Sequence, residues 1–111
     1  MECLTLFSGD LLSPSLISTM FEGEQMVPSF RECAVDVACI GNHDLDFGIG
    51  RMTEILQKTT KANGGSTEWV CSNLFPADEG DDEDGCFGFM RKWTVVERGS
   101  LRIGLMGIVE Q

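Results

Sequence analysis

The stretch VDVACIGNHDLDFG, residues 35–48, joins a short apolar segment to a run of polar side chains. Residues 35–40 are apolar except for one aspartate and contain β-branched valine and isoleucine, which predicts a buried strand. Gly41 ends that strand, and the polar sequence NHD follows at once. Polar groups directly after a buried strand are typical of the ligand-binding edge of an α/β sheet.

The same combination of strand and polar turn occurs upstream. Residues 3–8, CLTLFS, predict a first buried strand that Gly9 stops, and Asp10 follows. The carboxyl ends of parallel strands share one edge of a sheet. We therefore expect Asp10 and residues 42–44 to lie together, although Asn42 lies 32 positions after Asp10.

Helical patterns separate the predicted strands. Ser13-Pro14 is a helix-start signal, a hydroxyl followed by proline. The next apolar residues have the spacing of one helix face: Leu16, Ile17, Met20 and Phe21. A second helix is predicted over 24–33, with Pro28 in its first turn or at a bend. A third is predicted over 49–62, with an inward face formed by Met52, Ile55 and Leu56.

The remaining segments complete an α/β pattern. Residues 68–74 predict a third strand, and residues 92–97 and 101–109 predict a hairpin around a turn at 98–100. Strands that alternate with helices imply right-handed parallel crossovers. The sequence therefore predicts a parallel βαβαβ unit with a C-terminal antiparallel β-hairpin.

The polar residues of the predicted edge form a donor set for a divalent cation. Asp10 offers an anionic oxygen and Asn42 an amide oxygen, both of which hard cations accept. His43 is the only histidine of the chain, so any acid–base role of an imidazole falls on it. Asp44, beside it in sequence, could fix the tautomer of the ring. The alternative is purely structural, with residues 42–44 forming an asparagine- and aspartate-rich turn.

Charge and hydropathy argue against two classes of partner. The net charge of −10 repels a phosphate backbone, so nucleic acid is not an expected partner. Six of the 18 acidic residues fall within 78–84, inside a predicted loop over 76–88 that we interpret as a solvated insertion. The apolar runs are far shorter than the ~20 residues that span a bilayer, so a membrane is not expected either.

The cysteines indicate a reducing compartment. There are five, an odd number without a close CxxC pair, which argues against both a disulfide framework and a thiolate zinc site. The start MECLTLFSGD has neither a basic n-region nor a small-residue cleavage site, so it is not a readable signal peptide. We expect a cytoplasmic location.

Four segments resemble one known family. FSGDLLSPS (7–15), GNHDLDFG (41–48), WVCSNLF (69–75) and LRIGLMGIVE (101–110) are similar to motifs of the calcineurin-like metallophosphoesterases, specifically the 5'-nucleotidase branch. The resemblance implies a partial calcineurin-like metallophosphoesterase sandwich. Residues 1–111 would then be a single incomplete domain with an acidic loop insertion at 76–88.

The resemblance also implies an activity, the metal-dependent hydrolysis of phosphomonoesters, nucleotides among them. Asp10 matches an aspartate that bridges two divalent metal ions, and Asn42 matches an asparagine bound to the second ion. His43 matches the histidine that contacts the phosphoryl group and helps the leaving oxygen depart, with Asp44 as its orienting partner. The implied partner is a small-molecule phosphate ester. Manganese, zinc, iron and magnesium all suit such ligands.

Two elements of the family pattern have no match in the chain. The family has an Asp-x-His pair before its Gly-Asp motif and further histidines after it, whereas this chain has one histidine in total. The chain is therefore expected to be a fragment of the catalytic domain with little or no phosphatase activity of its own. The alternative is a non-catalytic truncated remnant, or an interaction module, on the same scaffold.

Overall fold

A computed structural model of the chain describes residues 3–75 and 87–110. The acidic run at 78–84, and all but the last two residues of the predicted loop 76–88, lie outside these residues. The elements in chain order are β1 Leu6–Phe7, α1 Ser18–Phe21, α2 Met26–Glu32, β2 Val37–Cys39, α3 Ile49–Gln57, β3 Glu68–Val70, β4 Trp93–Arg98 and β5 Leu101–Met106. Two 3₁₀ turns are also present, Asn42–Leu45 after β2 and Lys61–Asn63 after α3.

The first three strands form a parallel sheet in the order β1-β2-β3. Ala38 pairs with Phe7 on one side and with Trp69 on the other. This confirms a mixed α/β chain with three parallel strands and a separate hairpin. Each of these three strands is shorter than predicted. Beyond the end of β3, the N–H of Cys71 donates to the carbonyl of Arg91 at 2.8 Å.

The core lies between one face of this sheet and the helices. The ring of Phe30, from α2, stacks on Trp69 at a centroid distance of 5.7 Å and meets Phe7 edge-on at 5.0 Å. The indole N–H of Trp69 donates to the Thr59 hydroxyl at 2.9 Å, which satisfies its buried donor. The predicted inward face of α3 is confirmed, since three of its side chains are fully buried: Met52, Ile55 and Leu56.

The segment before α2 differs from its prediction. Helix α1 has only four residues, and Ser13 does not cap it. The four residues expected to share one helix face are all largely exposed: Leu16 87%, Ile17 54%, Met20 76% and Phe21 50%. Leu11 and Leu12, just before this segment, are buried in the core instead. Among residues 3–75 and 87–110, no helix has the length and apolar character needed to cross a membrane.

The predicted hairpin is confirmed, with β4 and β5 antiparallel and joined through residues 99 and 100. Its far end is tied to the carboxyl end of β3, where Asn73 exchanges two hydrogen bonds with the backbone of Val109. Its turn end is tied to the opposite end of the sheet, where the Arg98 guanidinium lies 2.6 Å from the Asp36 carboxylate. The hairpin is thus anchored at both ends of the parallel sheet.

Candidate functional site

The loops that follow β1 and β2 meet at the carboxyl edge of the sheet. The backbone N–H of His43 donates to Oδ1 of Asp10 at 3.1 Å. The predicted juxtaposition of Asp10 with the turn after β2 is therefore confirmed. Two glycines allow this approach: a Cβ on Gly41 would lie 2.2 Å from Asp10 Oδ1, and a Cβ on Gly9 would lie 2.3 Å from the Gly41 nitrogen.

Asp10 itself has an unusual backbone conformation. Its φ of 63° lies in the left-handed region, which aspartate tolerates better than most residues with a side chain. The conformation is held from two sides, because the Asp10 N–H donates to Asp44 while its carboxylate accepts from His43. The side chain is exposed at the edge of the sheet.

Asp44 is fully buried and accepts hydrogen bonds from the backbone of both loops. Its carboxylate accepts N–H groups from Leu12 at 2.8 Å, Gly41 at 2.9 Å and Asp10 at 3.0 Å. Burial raises the pKa of Asp44, and these backbone donors oppose that rise. Because the carboxylate is directed at the backbone, it is not the hydrogen-bond partner of the His43 ring, which corrects the orienting role expected for it.

The partner of the imidazole is Asp46. Nδ1 of His43 lies 2.9 Å from Oδ2 of Asp46, and the Ser13 hydroxyl donates to the same oxygen at 2.7 Å. The hydrogen bond with Asp46 raises the pKa of His43, whose side chain is 41% exposed. The pKa of Asp46 is lowered, first by the Ser13 hydroxyl and then by His43.

Sequence reasoning missed Asp46, because its spacing of three residues from His43 indicates a pair only once the turn is known to be a 3₁₀ helix. The turn Asn42–Leu45 is a 3₁₀ helix, in which side chains three residues apart lie on the same face. His43 and Asp46 have that spacing. Adjacent residues diverge on a helix, which explains why Asp44 points inward while His43 stays at the surface.

Asn42 opens the 3₁₀ turn and is exposed, as is Asp10. The edge thus presents a carboxylate and an amide oxygen of the kind that hard divalent cations bind. Within residues 3–75 and 87–110, no three His, Cys, Asp or Glu side chains are grouped so that they could hold a metal ion.

A scan against protein-family models and a search of curated proteins found no match to this chain. The functional interpretation consequently depends on the geometry of this edge and on the motifs of the sequence. Both point to Asp10, Asn42 and His43; the geometry adds Asp46, where the motifs had indicated Asp44.

Proposed function

We propose that this chain is part of a metal-dependent phosphoesterase of the calcineurin-like, 5'-nucleotidase type, which hydrolyses phosphomonoesters such as nucleotides. One observation supports this most directly: the His43 N–H bonds the Asp10 carboxylate at 3.1 Å, which brings the Gly-Asp and Gly-Asn-His-Asp motifs to one edge. The parallel sheet and the hairpin would then belong to a partial calcineurin-like sandwich. The substrate would be a small-molecule phosphate ester.

Asp10 and Asn42 are the residues that would hold divalent ions. Their oxygens have the chemistry required, and both side chains are exposed at the edge. Two ions bound there would supply positive charge to the oxygens of the phosphoryl group as negative charge develops on them. Asp44 would have no direct part in this; it would hold Asp10 in its left-handed conformation through the Asp10 N–H.

His43 would act on the leaving group. Because Nδ1 is engaged by Asp46, Nε2 is the ring nitrogen left for a substrate. A protonated His43 would donate the Nε2 proton to the ester oxygen as the oxygen of a water molecule bonds to phosphorus and the bond from phosphorus to the ester oxygen breaks. The raised pKa of His43 favours this protonated form near neutral pH.

A cytoplasmic location belongs to the same proposal. Four of the cysteines have free thiols in the structure: Cys3, Cys33, Cys39 and Cys71. Free thiols persist in reducing compartments. The high negative charge of the chain argues against a nucleic-acid polymer as substrate.

A metal titration tests the proposal without depending on turnover. Mn²⁺ added to the chelator-treated protein should raise its thermal midpoint, because a ligand that binds only the folded state stabilises it. Asp10→Ala and Asn42→Ala should each abolish the rise. Glu97→Ala is the matched control, since it removes an exposed carboxylate on the hairpin and should leave the rise intact.

The acidic run at 78–84 could bind Mn²⁺ nonspecifically, so a second control neutralises it with asparagine and glutamine. This variant should retain the Mn²⁺-dependent rise. If unsubstituted protein shows no rise, or if the rise disappears only when the acidic run is neutralised, the metal-dependent function is contradicted. The non-catalytic scaffold would then be the better interpretation.

A further inference from the structure

Ser13 connects the two loops of the candidate site. It follows β1, whereas Asp46 and His43 follow β2, and 33 positions separate Ser13 from Asp46. The hydroxyl donates to Oδ2 of Asp46 at 2.7 Å, and the same oxygen lies 2.9 Å from Nδ1 of His43. One carboxylate oxygen therefore bonds both side chains.

The Ser13 hydroxyl gives the Asp46 carboxylate a second contact at an exposed position. The side chains of Asp46 and His43 are 39% and 41% exposed, so packing alone does not fix either group. An exposed pair held by one hydrogen bond loses much of its order to side-chain entropy. A donor from the other loop removes rotational freedom from the carboxylate, and the ring that bonds the carboxylate is ordered in turn.

We propose that Ser13 is a positioning residue: its hydroxyl fixes the Asp46 carboxylate, which holds the His43 ring with a proton on Nδ1 and leaves Nε2 for a ligand. The catalytic role of Ser13 rests on the proposed phosphoesterase function. The hydrogen bonds that join Ser13, Asp46 and His43 do not depend on that function. The residue acts through Asp46 and has no contact with the reacting group.

The experiment measures the tautomer of neutral His43 by ¹⁵N NMR, in the absence of metal and above the pKa of the ring. The chain has one histidine, so the ring signals are assigned without ambiguity. We expect the Nδ1–H form to predominate in the unsubstituted chain and to lose that predominance in Ser13→Ala. Ser13→Thr, which keeps the hydroxyl, should restore it.

Ser15→Ala is the matched control. It removes a hydroxyl from the same loop as Ser13, but this hydroxyl bonds Ser18 rather than Asp46. It should leave the tautomer unchanged. The proposal is overturned if Ser13→Ala keeps the tautomer of the unsubstituted chain, if threonine fails to restore it, or if Ser15→Ala changes it equally. The tautomer is read without metal, so this result is separate from the Mn²⁺ titration, and either proposal can fail alone.

Discussion

The carboxylate of Asp44 accepts the backbone N–H of Asp10 at 3.0 Å, across 34 positions of the sequence. Asp44 is fully buried, whereas Asp10 is exposed at the edge of the sheet. A buried acceptor thus helps to hold the backbone conformation of an exposed candidate ligand. The site depends on a residue that would not touch the ligand.

Replacing Asp44 should therefore destabilise the fold. Asp44→Ala leaves the backbone N–H groups of Asp10, Leu12 and Gly41 without their acceptor. At about 1 kcal/mol for each lost bond, the free energy of unfolding should fall by about 3 kcal/mol. Urea denaturation measures this loss. Asp46→Ala, at an exposed position, should cost less than about 1 kcal/mol, and equal losses would contradict the structural role of Asp44.

Two glycines should respond to alanine in opposite directions. A Cβ on Gly41 would lie 2.6 Å from the Asp10 nitrogen, so the backbone must shift, and we expect a loss of about 1 to 3 kcal/mol. A Cβ on Gly50 in α3 would meet nothing within 4 Å. Gly50→Ala should stabilise the protein by up to about 1 kcal/mol through helix propensity. Thermal unfolding distinguishes the two variants. If both were more stable than the unsubstituted protein, the two loops would not approach each other as described.

The pKa of His43 should fall when Asp46 loses its charge. The hydrogen bond with Asp46 raises the pKa of His43 in the folded chain. The resulting stability is complete below the ordinary histidine pKa and is lost as the pH rises through the raised one. In Asp46→Asn the NMR titration midpoint of the single histidine should move down. Glu97→Gln removes a distant charge and should leave it nearly unchanged; a midpoint unaffected by Asp46→Asn would contradict the contact.

The sequence predicted the sheet and its edge because the spacing of the apolar residues and the order of the predicted strands carry that information. An apolar strand followed by glycine and a polar turn places Asp10 near His43 whatever the details of the loops. It did not predict which side chains pair within the turn. The partner of His43 depends on the 3₁₀ geometry of Asn42–Leu45, and local sequence does not distinguish this from an open turn.

Acid should weaken the link between the hairpin and the parallel sheet. The backbone N–H of Thr5 and the guanidinium of Arg98 lower the pKa of Asp36, while burial opposes them. The stability from this carboxylate is therefore present above its ordinary pKa and is lost as the pH falls through the lowered one. Asp36→Asn should reduce the pH dependence of stability below about pH 4.

Denaturant unfolding at several pH values measures this dependence. Arg102→Gln is the control, since the Arg102 side chain is 77% exposed and its Nε lies 3.8 Å from Oε1 of Glu97. An exposed pair of this kind contributes little, so the pH profile should be retained. If Asp36→Asn and unsubstituted protein lose stability over the same pH range and by the same amount, Asp36 does not carry this part of the acid response.

Two leucines of the segment after Asp10 show why the predicted apolar face of its helix does not pack against the core. Periodicity identified Leu16 as part of an apolar face, but it is 87% exposed, whereas Leu12 is fully buried. The Asp44 carboxylate accepts the N–H of Leu12 at 2.8 Å and thereby holds the Leu12 side chain in the core before α1 begins. A long-range contact of this kind leaves no periodic signal in the sequence.

Leu12→Ala should consequently lower the free energy of unfolding by about 2 to 5 kcal/mol, the range for a buried leucine whose removal leaves a cavity. Leu16→Ala should change it by less than about 0.5 kcal/mol, because the side chain leaves water only slightly on folding. Urea denaturation of both variants measures the difference. If the losses were reversed, the chain would pack through the face that periodicity predicts, and Leu12 would not lie in the core as described.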